Sequence, residues 1–168
     1  YPTLYIFRNG EKQEYNGPRE YQGIVDYMKG QAGPSFKVYA TAAELDAFLK
    51  EHADKNVVVI GYGPKDGAAE KVIKSVSATQ RENYRFAVVN NEELIAARAP
   101  KGAESIVMIK PFAGKDEKDQ LLFTDKQWTN SDVLSWLPKA AIPLAGVYDT
   151  DSAKRYAANP LPRFTLLV

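Results

Sequence analysis

Two stretches of this sequence repeat each other at one fixed distance, and that repeat limits the fold more than any other feature. "GPSFKVYATAAELDAFLK" from Gly33 and "IPLAGVYDTDSAKRYAAN" from Ile142 share a proline, Pro34 and Pro143. Each proline is followed by Val-Tyr-x-Thr, at Val38, Tyr39 and Thr41 and again at Val147, Tyr148 and Thr150, an offset of 109 residues. The same offset lays "GIVDYMKGQA" over "DVLSWLPKAA", pairing Ile24 with Val133, Val25 with Leu134, Tyr27 with Trp136 and Met28 with Leu137. Upstream, "YPTLYIF" lies over "ESIVMIK" from Glu104 at an offset of 103, because "PFAGKDEKDQ" makes a longer hairpin loop than "RNGEKQEYNG". A period near 109 is too long for a solenoid unit and suits a small domain. The chain therefore reads as a window on tandem domains: residues 1–33 end one, 34–141 form a complete unit, and 142–168 open another.

Within that frame the apolar spacing predicts strands near 2–8, 12–15, 36–39, 56–61, 84–89, 105–110, 119–123 and 162–168, with helices between them. A first helix over 19–30 sets Tyr21, Ile24, Val25 and Met28 at i, i+3, i+4 and i+7 as a core stripe, with Pro18 at its first turn. A second starts at Thr41 with Glu44 three residues on, a capping-box pattern, and buries Leu45, Phe48 and Leu49. The third runs from Pro64 with Ala69, Val72, Ile73 and Val76 inward; a short fourth holds Leu94 and Ile95, and a fifth holds Val133, Leu134 and Leu137.

Charge and residue types exclude several chemistries. Twenty-two basic against 21 acidic residues, interspersed, leave a net charge of +1 and no footprint for nucleic acid or an anionic membrane. No apolar run approaches the ~20 residues of a membrane span. With no cysteine, the chain has no thiol chemistry, disulfide or thiolate metal site. The single histidine, His52, closes the helical run "TAAELDAFLKEH", where it is expected to cap carbonyls or meet the helix dipole rather than hold a metal or serve a triad. Neither a metal nor a cofactor is expected. Trp128, Trp136 and the ten tyrosines could line a binding surface, but aromatics beside helix stripes more often belong to a core.

One loop invites a functional reading. "VVVIGYGPKDGAAEKVIK" is a strand, a turn carrying Gly61, Gly63 and Gly67, and a helix, the setting in which dinucleotide folds seat a pyrophosphate. The order of elements argues against it. A dinucleotide fold continues with alternating parallel strands and helices, whereas after Glu104 this chain makes two neighbouring strands and ends in a helix. The glycine loop also follows the second strand of the unit, and "FAVVNNEE" places asparagines where an acidic residue is wanted. Gly63 and Gly67 are better read as residues of a tight turn and close packing.

That order is thioredoxin-like, and the turn then resembles the reactive turn of the protein disulfide isomerase family. The family motif F-Y-A-P-W-C-G-H-C-K is similar to "GYGPKDGAAE" through Tyr62, Pro64 and Gly67. Lys65 stands for the tryptophan, Asp66 and Ala69 for the two cysteines, and Ala68 for the histidine. The opening "YPTLYIFRNG" resembles the end of a family catalytic (a) domain, where Pro2 would be the cis-proline beside the reactive cysteines; in the complete unit Ser105 replaces that proline. The segment from Ile142 resembles the start of a second non-catalytic domain, b′, which makes 34–141 a non-catalytic b domain.

The resemblance implies an α/β, thioredoxin-like fold, a central mixed sheet flanked by helices, with partial repeats at both ends. It implies that the parent protein rearranges disulfides in the endoplasmic reticulum lumen. This segment would be a redox-inactive spacer that contacts unfolded or misfolded secretory proteins or other chaperones of that compartment, with neither nucleic acid nor membrane as a partner. Asp66 is expected in the first turn of its helix, where an acid meets the positive end of the dipole without exchanging disulfides. A stand-alone redox-inactive thioredoxin-like interaction protein is the alternative.

Overall fold

The computed structural model describes residues 3–8, 11–15, 17–53, 56–110, 120–124 and 128–141, and the chain divides between Pro34 and Ser35 into two units. Pro2, the loop 111–119 and the segment 142–168, including the strand expected at 162–168, lie outside the described residues.

The first unit contains a hairpin and a helix. Strands β1 (Tyr5–Arg8) and β2 (Glu11–Glu14) pair antiparallel with Tyr5 opposite Glu14, and the Tyr15 amide extends the pairing by donating to the Leu4 carbonyl at 2.8 Å. Helix α1 (Tyr21–Ala32) begins later than the sequence suggests, with Glu20 as an extended N-cap, so Pro18 precedes the helix instead of sitting in its first turn. The Pro18 carbonyl accepts the Tyr15 hydroxyl, and the Tyr15 ring meets Tyr27 edge-on at 4.7 Å. The described residues of this unit leave the expected core stripe open: Tyr21 is 81% exposed, Met28 47% and Ile24 36%. A two-stranded hairpin offers too little apolar surface to cover an amphipathic helix.

The second unit runs β3 (Lys37–Tyr39), α2 (Ala42–His52), β4 (Val58–Tyr62), α3 (Ala68–Gln80), β5 (Arg85–Val89), α4 (Glu92–Arg98), a 3-10 turn (Pro100–Gly102), β6 (Ser105–Ile109), β7 (Gln120–Leu122) and α5 (Asn130–Ala140). Its sheet has the order β3-β5-β4-β6-β7. β3, β5 and β4 are parallel; β6 and β7 run antiparallel to their neighbours. This is the mixed sheet flanked by helices that the sequence order suggested.

Alternation along the strands sorts the core into two layers. Val57, Val59, Phe86, Val88, Ile106 and Met108 pack with α3 and α5 on one face, and Val58, Ile60, Ala87, Val89 and Val107 pack with α2 and α4 on the other. Burial on both faces accounts for the unbroken apolar runs of β4, β5 and β6. The predicted inward residues of α3 are all buried, as are Leu45, Phe48, Leu94, Ile95, Val133 and Leu137, while Leu49 and Leu134 are half-buried. Trp128 and Trp136 are half-buried against the α3–α5 layer, with Trp136 edge-on to Phe123 at 5.2 Å.

Side chains cap three of the helices. The Thr41, Asn91 and Thr129 oxygens accept the amides of Glu44, Leu94 and Asp132, each three residues on, and Thr41 also donates to Glu44 Oε2 at 2.9 Å. α3 is different. Its N-cap is Gly67, which has no side chain to offer.

Candidate functional site

The turn from Gly63 to Gly67 joins the carboxyl end of β4 to α3, beside the start of β6. In open α/β sheets, ligands gather at the carboxyl ends of parallel strands, so this is the place to look for a site. α3 opens at Ala68 rather than at Pro64, and Asp66 stands two residues before it. Asp66 has a φ of 59°, the left-handed region that side chains other than glycine adopt at a cost. The first-turn acid of α3 is Glu70, not Asp66 as the sequence suggested.

Each glycine of the loop answers to a different neighbour. A Cβ on Gly61 would lie 2.8 Å from Ile73 Cγ1, one on Gly63 would lie 2.6 Å from Glu104 Oε1 and 2.7 Å from its Cγ, and one on Gly67 would lie 2.7 Å from the Pro64 carbonyl oxygen as well as 2.7 Å from Glu104 Oε1. The tight-turn reading therefore holds for Gly67 and the close-packing reading for Gly63, while Gly61 shows a close approach the sequence did not signal.

Four amides of the turn and helix start are already engaged. Gly63 N donates to the Val89 carbonyl at 3.1 Å and Gly67 N to the Pro64 carbonyl at 2.9 Å. Asp66 N donates to Glu70 Oε2 at 2.8 Å, and Ala69 N to Glu104 Oε1 at 3.0 Å. Two carboxylates and two carbonyls thus hold amides that an anion would otherwise meet, which agrees with the rejection of the nucleotide reading. The two asparagines after β5 also have local work: Asn91 caps α4, and Asn90 Nδ2 donates to Glu70 Oε2 at 3.2 Å. Asn90 Oδ1 is the buried side-chain acceptor left without a partner among the described residues.

Asp66 is exposed, Ala69 fully buried, and Ser105 4% exposed at the first position of β6. Ser105 pairs with Tyr62 across the antiparallel β4–β6 ladder, and its hydroxyl donates to the Ala103 carbonyl at 3.1 Å. Asp66 and Ala69 stand at the turn and the helix start, and Ser105 pairs with Tyr62, the last residue of the strand that leads into the turn. Sequence reasoning missed Glu104, whose carboxylate reaches from the residue before β6 to an amide 35 residues earlier. Its one visible signal was an acid directly ahead of the strand that carries Ser105.

Below the turn, burial raises the pKa of the Tyr62 phenol, with Arg98 opposing the shift and Asp46 adding to it. Arg98 Nη2 donates to Asp46 Oδ2 at 2.9 Å and links α4 to α2. His52 ends α2 as expected, but its described contacts are the Phe48 ring, edge-on at 4.9 Å, and Glu51 Oε1 at 3.8 Å, not a helix carbonyl. Burial lowers its pKa; Glu51 works against that shift, and Arg85 and Lys37 reinforce it. Among the described residues no group of three or more metal-ligating side chains occurs, and no helix is long and apolar enough to cross a membrane.

Comparison with known proteins agrees with this fold. A family model described as a thioredoxin-like domain matches residues 63–168. Mouse protein disulfide-isomerase A4 is 37% identical over 166 residues, covering 96% of this chain and 26% of that protein. Protein disulfide isomerase-like 1-1 of Arabidopsis thaliana is 33% identical over 159 residues, covering 90% of this chain and 29% of its own length. The chain spans about a quarter of the curated relatives it matches. Among solved structures, the bb fragment of ERp72 superposes with a TM-score of 0.60 at 25% identity, covering 76% of this chain and 57% of that one. Human ERp44 form II gives 0.62 at 20% identity over 94% of this chain and 41% of its own, a likeness of fold.

Proposed function

Because this chain belongs to the thioredoxin-like domain family and is related along nearly its whole length to protein disulfide-isomerases, we propose that it is a redox-inactive segment of such an isomerase. Its parent would rearrange disulfides during oxidative folding in the endoplasmic reticulum lumen. The segment would space catalytic domains and hold unfolded secretory clients or other chaperones. Residues 1–33 would close an a domain, with Pro2 as its cis-proline, 34–141 would form the b domain, and 142–168 would open b′.

One observation carries the reading: the reactive-turn positions hold Asp66 and Ala69, in a chain with no cysteine, and Ser105 stands where the resemblance expects proline. Disulfide exchange needs an attacking thiolate and a resolving thiol, and neither side chain can supply one. Binding does not need them.

The test separates exchange from binding. Added to scrambled ribonuclease in glutathione buffer, the chain should leave reactivation at the buffer rate. Added to a fluorescent, unfolded, cysteine-free client, it should give a saturable rise in anisotropy. Reactivation above a heat-killed control removes the redox-inactive reading, and a flat anisotropy titration removes the client-holding one.

A further inference from the structure

The start of α3 is capped from outside its own sequence. Where α2, α4 and α5 use the side chain of their own N-cap, α3 has Gly67 there, and the second amide of the helix, Ala69 N, is taken by Glu104 Oε1 at 3.0 Å. Gly63 fits this arrangement, since the three atoms nearest to a Cβ on it would all belong to Glu104, at 2.6 to 2.9 Å. At Gly67 the Pro64 carbonyl intrudes as well.

We propose that the Glu104 carboxylate is an internal stopper of this turn: it fills a first-turn amide of α3 and sets a negative charge at the helix start that a thiolate at position 66 would draw on, so the turn is closed to redox chemistry by a contact as well as by the missing cysteines. This rests on reading the turn as the counterpart of the family's reactive turn. An N-cap acceptor ordinarily bonds the amide two or three residues into the helix. Counted from the N-cap Gly67, the amide two residues on is Ala69 N, the one Glu104 holds. A second negative charge entering there meets both an occupied donor and a like charge, and each disfavours ionisation. The left-handed Asp66 and its amide bond to Glu70 Oε2 fit a turn shaped around the Glu104 side chain and not around residue 66.

Two measurements on the full chain test the stopper and the reading separately. The first is a urea-unfolding cycle of Gly63→Ala with Glu104→Ala. Overpacking against Glu104 should raise the unfolded-to-folded ratio about tenfold for Gly63→Ala alone and leave it nearly unchanged once Glu104 is Ala. Glu104→Gln, which keeps the shape, should give no relief. The second uses Asp66→Cys, which introduces the chain's sole thiol. Its alkylation rate against pH should show about tenfold more thiolate near neutrality with Glu104→Gln or Glu104→Ala than with Glu104. Gly63 and Glu104 substitutions that simply add overturn the stopper. Coupled substitutions with a thiol that titrates alike in all backgrounds overturn the reactive-turn reading, and with it the redox role of the contact, leaving Glu104 a helix cap alone.

Discussion

A Cβ placed on Gly61 would stand 2.8 Å from Ile73 Cγ1, so β4 and α3 meet with no room for a side chain on the strand. Gly61 is buried and Ile73 fully so. Gly61→Ala should therefore destabilise the chain by about 1–3 kcal/mol, the usual cost of overpacking a tight core. In an Ile73→Ala background, which removes Cγ1, the added methyl should cost much less. A double-mutant cycle in urea checks this, and equal penalties in both backgrounds would remove the close-approach explanation.

The three loop glycines show how far the sequence could be read. Spacing alone left Gly61, Gly63 and Gly67 open to a phosphate reading, and element order narrowed it because antiparallel β6 and β7 follow where a dinucleotide fold would stay parallel. The sheet itself was legible because β4, β5 and β6 are apolar on both faces, and the inward stripe of α3 because Ala69, Val72, Ile73 and Val76 repeat at helical spacing. The start of α3 was not. Pro64 and Asp66 carry the composition of a helix opening, yet the left-handed Asp66 delays the helix to Ala68, and what ties that start is a carboxylate from the residue before β6. A cap 35 residues distant leaves no local pattern. In α1 the periodicity reports an apolar face, and the described residues of the first unit leave it uncovered at Tyr21 and Met28.

His52 should make stability fall on mild acidification. Burial lowers its folded pKa against the pull of Glu51, with Arg85 and Lys37 adding to the effect, so the unfolded chain binds the proton more readily. Stability from this group is complete above the unfolded value of about 6.5 and declines as pH drops through it, levelling off below the folded pKa. The melting temperature should accordingly decline from neutral pH toward pH ~5 more in the parent than in His52→Gln. Parallel curves would show that the imidazole is as easily protonated folded as unfolded.

Tyr62 should act at the other end of the scale. Its folded pKa is raised, first by burial and then by Asp46 against the opposing Arg98, so its share of stability is whole below the unfolded value of about 10 and is lost as pH rises toward and through the folded one. Tyr39 is also raised, first by burial and then by Glu51 and Glu44, and remains in a Tyr62→Phe variant, so the difference between the two proteins isolates Tyr62. Above pH ~10 the parent should lose stability more steeply than Tyr62→Phe. Tyrosinate absorbance should also show one fewer late-titrating phenol in the variant.

The two units should part under protease. In the second, α5 closes the layer over α3 with Val133 at 0% and Leu137 and Ala141 each at 1% exposure, so the described core is complete by Ala141. In the first, a four-residue hairpin pair and α1 leave Tyr21, Met28 and Phe7 at 81, 47 and 71% exposure, a surface too apolar and too thinly covered to resist local opening. Limited proteolysis should cut near Gly33 and again beyond Ala141, leaving a product of about 105 to 115 residues, the size of a small domain. A chain comprising 34–141 alone should then unfold in one transition with the same urea midpoint as the main transition of the full chain. Protection of all 168 residues as one core in dilute solution, or a 34–141 fragment without a cooperative transition, would defeat the division into tandem domains.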